Sequence, residues 1–138
     1  MANPLLYIVL NKDLNMSAGK AAAQAVHAAM MLEGNYSGRF NASPRRTVIV
    51  LEATELQIRS LEEYLSISSI FADYYIDEGS NEVDPYSVTA LAVEPIAEDD
   101  FDKRAIFSSF QLFSVPKPKR KLVDFGALKS SRRSRYDI

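Results

Sequence analysis

The chain contains no cysteine and a single histidine, His27, among its 138 residues. Without cysteine there are no disulfides, no thiolate nucleophile and no thiolate-bound metal, and one imidazole leaves a transition metal little to bind beyond carboxylates. Any catalysis is therefore expected to need no metal and no cofactor. No apolar run approaches the roughly 18 residues of a membrane span. The start also lacks a basic region followed by an apolar core and a cleavage site, so a cytoplasmic protein that avoids membranes is the expectation. A phosphate-binding loop is missing too. Gly19-Lys20 has Leu14 where the first glycine of such a loop would stand and Ala21 where its Ser/Thr would follow.

What is present divides unevenly. Residues 1–113 hold eight Lys and Arg against sixteen Asp and Glu, whereas residues 114–138 hold eight against two, and the two parts sum to the net charge of −2. With 47% hydrophobic residues, the first part has the makings of one domain with an ordinary core. The second reads as a basic tail, broken by proline and serine, in which Lys117, Lys119, Arg120, Lys121, Arg132 and Arg133 carry charge suited to a nucleic-acid backbone. A solvated tail that keeps an acidic body soluble is the competing reading of the same composition.

Apolar and polar periodicity predicts the order β-α-β-α-β-β-α. Leu5 to Leu10 and Thr47 to Leu51 read as buried strands, Ile70 to Ile76 as a third and Val88 to Val93 as a fourth. Helices are expected from about Ser17 to Leu32, from Thr54 to Leu65 and from Asp99 to Phe113. Together they predict a three-layer α/β/α sandwich around a four-stranded mixed sheet. Ligands of such sheets sit beyond the strand ends. This directs attention to the turn Asp13–Gly19 and to the polar connection Asp77–Ser87. In the first helix, Lys20, Gln24 and His27 fall within about 60° of one another around the axis, amid alanines too small to cover them. A cation, an amide and an imidazole on one line have the layout of a site, although an alanine-rich helix with a solvated lysine and a surface histidine would show the same spacing.

At these residues the chain resembles the peptidyl-tRNA hydrolases of the archaeal and eukaryotic type. The family motif D-L-x-M-G-K-G-K-x-A-A-Q-x-x-H-A is matched by the run from Asp13 to Ala28, including Met16, Gly19, Lys20, Gln24 and His27. Its second motif, D-A-G-x-T-x-I-x-P-G-T-x-T-x-L-A-I-x-P, aligns without a gap from Asp77 to Pro95. The resemblance spans about residues 5–113. It implies hydrolysis, without metal, of the ester joining a peptide to the 3′ end of tRNA, and often a homodimer. It further implies catalytic roles for Lys20, Asp77, His27 and Ser87: Lys20 would stabilise negative charge, Asp77 would orient water or an acid–base partner, and Ser87 keeps a hydroxyl. Gln24, Gly19, Asn81 and Gly79 would contact substrate.

The second motif departs from the pattern. Asn81 stands for a threonine and cannot relay a proton as a hydroxyl does, and Glu78, Glu82 and Asp84 make the loop acidic. Tyr86 replaces the corner glycine, a change expected to exclude left-handed backbone unless the turn is rebuilt. Two functions therefore stay open: hydrolysis of peptidyl-tRNA or another N-blocked aminoacyl-tRNA, and an impaired member that binds tRNA, another nucleic acid or a protein.

Overall fold

The computed structural model describes residues 3–35, 47–79 and 82–115. Strand β1 (Pro4–Asn11) is the centre of the sheet, and every residue from Leu5 to Asn11 is buried. A tight turn at Lys12–Leu14 leads to helix α1 (Ala18–Asn35), followed by β2 (Thr47–Ala53), helix α2 (Glu55–Ile67), β3 (Ala72–Asp77) and β4 (Ser87–Val93). A two-residue strand β5 (Ile96–Ala97), a short helix α3 (Phe101–Ala105) and a second two-residue strand β6 (Gln111–Leu112) complete the described chain. The strands lie in the order β3-β4-β1-β2-β6, with β5 also on β1. Among the described residues only β1 and β2 pair in parallel, because α1 carries the chain back between them; the other pairings are antiparallel.

Alternation along β1 separates two cores. Leu5, Tyr7 and Val9 pack with Ile58, Leu61 and Leu65 of α2, whereas Leu6, Ile8 and Leu10 pack with Ala21, Ala28 and Leu32 of α1. The two long helices thus cover opposite faces of the sheet. Burial of a leucine such as Leu32 or Leu65 contributes about 1.5–3 kcal/mol. Helix α2 starts at a reciprocal cap: the Gln57 N–H donates to the Thr54 hydroxyl at 3.1 Å and the Thr54 N–H donates to the Gln57 side-chain oxygen at 2.9 Å. Ser17 caps α1 by accepting from the Lys20 N–H at 3.2 Å.

Among the described residues the sheet has six strands where four were expected. The additional two are each two residues long, too short for a hydrophobic period to reveal them. Strand β5 is in effect β4 resumed along β1: the pairing shifts by one residue across Glu94–Pro95, where proline has no N–H to donate. The helix expected over Asp99–Phe113 stops at Ala105. Phe107 and Phe110 enter the α2-side core, with Phe107 stacked on Tyr7 at 4.1 Å, while Phe113 enters the α1-side core. One straight helix cannot serve both faces of a sheet. The extended pair Gln111–Leu112 carries the chain along the edge of β2 instead, and the Phe113 N–H donates to the Val50 carbonyl at 2.9 Å. Among the described residues, no helix is long and apolar enough to cross a membrane.

The loop into β4 also differs from expectation. Tyr86 takes the left-handed conformation, with φ of 66°, that its side chain was expected to exclude, and its N–H donates to the Asp77 carbonyl. The corner keeps a glycine-like geometry with a tyrosine that is 75% exposed. A left-handed non-glycine residue costs about 1–2 kcal/mol. Tyr86→Gly should therefore stabilise the fold by about 0.5–1 kcal/mol, after the extra unfolded-state freedom of glycine is subtracted. A urea midpoint that moves down in that variant would show the corner to depend on the tyrosine side chain.

Candidate active site

Two neighbouring elements bring the site together. Lys20 lies in the first turn of α1 and Gln24 one turn later, both on the side facing β3 and β4, while Asp77 is the last residue of β3. The Lys20 ammonium donates to Asp77 Oδ2 at 2.6 Å, and Gln24 Nε2 donates to the same oxygen at 3.0 Å. The other oxygen, Oδ1, accepts the Gly79 N–H at 2.8 Å. Gly79 has φ of 141°, a backbone that L side chains rarely adopt, and this lets the chain fold back onto the carboxylate. Asp77 is buried at 7% exposure and Gln24 at 2%.

Thr89 completes the cluster. It is fully buried, and its hydroxyl donates to Gln24 Oε1 at 2.9 Å and also lies 3.3 Å from the Tyr75 carbonyl. With Oε1 taken by Thr89, the Gln24 amide has its NH2 directed at Asp77. The orientation of Thr89 comes from a β-bulge. Tyr75 pairs with Ala90 but Ile76 pairs with Val88, so Thr89 is the extra residue of β4, and its side chain reaches the α1 face beside Ala90. The sequence carried one signal of this, a lone hydroxyl inside the apolar run Val88–Val93.

The other described candidates, His27, Ser87 and Gly19, do not join this cluster. His27 is exposed and stacks on Tyr75, with ring centroids 5.3 Å apart and planes within 15°. Ser87 pairs with Asp77 across the two strands, but its hydroxyl donates to the Asp84 carbonyl at 2.7 Å. Gly19 has open space where a side chain would project. Asn81 and the basic residues Lys117, Lys119, Arg120, Lys121, Arg132 and Arg133 lie outside the described residues. Glu82, counted above among the acidic loop residues, holds the start of α1: its carboxylate accepts from the Ser17 hydroxyl at 2.7 Å and the Ser17 N–H at 3.1 Å. These bonds, the hydroxyl first, lower its pKa, and its charge complements the positive end of the helix dipole. Among the described residues, no three His, Cys, Asp or Glu side chains converge on a metal-sized site.

A family model described as "Peptidyl-tRNA hydrolase PTH2" matches residues 5–113. A protein of Thermococcus onnurineus named peptidyl-tRNA hydrolase is 30% identical over 103 residues, covering 70% of this chain and 87% of that protein. One of the same name from Methanococcus maripaludis is 28% identical over 104 residues, covering 70% and 89%. The one from Thermoplasma acidophilum is 26% identical over 105 residues, covering 71% and 90%.

The donors around Asp77 favour its charged form. The Lys20 hydrogen bond, then the Gly79 N–H, lower its pKa below the ordinary 3.8 against the opposing effect of burial. Above that ordinary value both the folded and the unfolded chain hold Asp77 ionised, and its contribution to stability is complete. As pH falls the unfolded chain takes up the proton first, so the contribution is lost as pH drops through the folded pKa. Urea unfolding from about pH 5 to about pH 2 should therefore show a steeper loss of stability in the wild type than in Asp77→Asn. Parallel acid limbs would mean that the carboxylate is not held in its charged form by this cluster.

Proposed function

The chain belongs to the peptidyl-tRNA hydrolase PTH2 family, and from that premise we propose that it hydrolyses the ester between a peptide, or an N-blocked aminoacyl group, and the 3′ end of tRNA. The observation that carries the reading is the Lys20–Asp77 pair at 2.6 Å, oriented by Gln24 and Thr89 and flanked by open space at Gly19. Ester hydrolysis needs a positioned water, neutralisation of the oxyanion that forms on the carbonyl, and a proton for the departing ribose oxygen. Asp77, held in its charged form, orients the attacking water through the one lone pair on Oδ1 that its three donors leave free, and the proton the water gives up passes to the departing ribose oxygen. Lys20 supplies the positive charge. Its side chain is 15% exposed, and a partly desolvated cation stabilises a developing oxyanion more strongly than one in bulk water. Gly19 leaves open space next to Lys20 in the helix, and Ser87 stands opposite Asp77 across the two strands.

The oxyanion and water roles predict losses in kcat. Single-turnover release of a labelled N-acetyl-aminoacyl group from tRNA should fall by about 100- to 1000-fold in Lys20→Ala, the usual consequence of losing one oxyanion donor. Asp77→Asn keeps the shape of the cluster and should lose activity comparably. Release that survives in both folded variants, or a wild type no faster than buffer, would sink the hydrolase reading.

Electrostatics suggests where RNA affinity comes from. The acidic balance of residues 1–113 opposes a phosphate backbone, and the basic residues from Lys117 to Arg135 offset it. Removing residues 116–138 should weaken tRNA binding and flatten the dependence of log affinity on log salt. Equal affinity and equal slope with and without the segment would exclude it from the RNA contact.

A further inference from the structure

The stacked rings of His27 and Tyr75 have no part in the hydrogen-bonded cluster, yet they stand beside it on both elements that build it. On α1, His27 follows Lys20 by seven residues, close to two turns, or about 10 Å along the axis on nearly the same line. On β3, Tyr75 precedes Asp77 by two residues, so it projects from the same face about 7 Å away. One face of the imidazole rests on Tyr75, and the residue is otherwise exposed. Its neighbours one turn either way along α1 are Ala23, which is small and exposed, and Met30, a flexible apolar side chain that is 64% exposed. A half-covered aromatic plane with an open apolar border is the type of surface on which an unstacked nucleobase settles.

We propose that His27, backed by Tyr75, is the platform on which the base of the 3′-terminal nucleotide of the RNA stacks. The inference rests on the hydrolase reading, because the ester at Lys20 and Asp77 would be borne by the ribose of that same nucleotide. By these spacings the stack lies roughly 7–10 Å from the pair, the scale of a single nucleoside. Tyr75 acts through His27, fixing the plane of the imidazole as a positioning residue. Stacking is tolerant of base identity, so the platform would recognise the presence of a terminal base more than its sequence.

The test uses full-length protein and tRNA whose terminal adenosine is replaced by fluorescent 2-aminopurine, alongside tRNA ending in an abasic nucleotide. Wild type should quench the 2-aminopurine on binding and should bind the abasic tRNA about tenfold more weakly, within the usual effect of removing one base–aromatic stack. His27→Ala should lose the quench and this discrimination, while His27→Phe and Tyr75→Phe should keep both, since each retains an aromatic plane. Unquenched 2-aminopurine, equal binding of the abasic tRNA, or a His27→Phe protein as defective as His27→Ala would overturn the platform. Release of the N-acetyl-aminoacyl group by wild type separates the two ideas. Release without quench leaves the hydrolase standing and removes the platform. Quench without release keeps the platform as a binding subsite and removes the hydrolase.

Discussion

A carboxylate buried at the end of a sheet strand must find donors or give up its charge, and the rest of the site follows from how Asp77 meets that demand. Lys20 alone would satisfy the charge; it would not fix the direction of the carboxyl plane. Gln24 supplies a second donor to the same oxygen and Gly79 a third to the other, so the carboxylate is held from the helix on one side and from its own loop on the other. The same donors, Lys20 foremost, lower its pKa and so favour the charged form. The pair is charged in both members, close to solvent and supported by neutral groups that are themselves satisfied. A catalyst of acyl transfer needs such preorganised polarity.

Much of this was legible in the amino-acid sequence because its signals are local. The apolar run Leu5–Leu10 and the β-branched run at Val48–Val50 announce strands, and the spacing of Lys20 and Gln24 places them on one helical line. What the sequence hid was set by tertiary packing. Strands β5 and β6 are two residues each: β5 takes up the start of β1, which β4 leaves unpaired, and β6 takes up the outer edge of β2. The segment after Ala105 gives Phe107 and Phe110 to one core and Phe113 to the other, a spacing that resembles a helical period until the sheet is in place to receive them. Thr89 escaped notice because a strand of regular alternation would turn it toward α2; only the bulge brings it to Gln24. His27 shared the line of Lys20, but line-sharing states direction and not reach, and the imidazole lies against Tyr75 instead of Asp77.

The acidic character of the second motif has a different meaning in three dimensions from its meaning as a count of charges. Glu82 is bound to Ser17, across 65 residues of sequence, and its negative charge meets the positive end of α1. Part of the acidity that would repel RNA is thereby spent on closing the loop against the helix that carries Lys20. Glycine-like backbone at Tyr86 serves the same closure, since its N–H returns to the Asp77 carbonyl. The loop thus closes on the helix through both a side chain and a left-handed backbone turn.

The bulge in β4 has a consequence for how the chain tolerates length variation. The connection into β4 is tied to α1 by Glu82 and by the buried Val83, and the count of residues between Ser87 and Ala90 is fixed by the pairing with β3. Deleting one residue would restore regular pairing with β3 and rotate the side chain in the Thr89 position toward the opposite core, leaving the Gln24 amide oxygen without its donor and free to turn. The site is therefore indexed to a count of residues as well as to their identity, and the strand measures that count with a single surplus position.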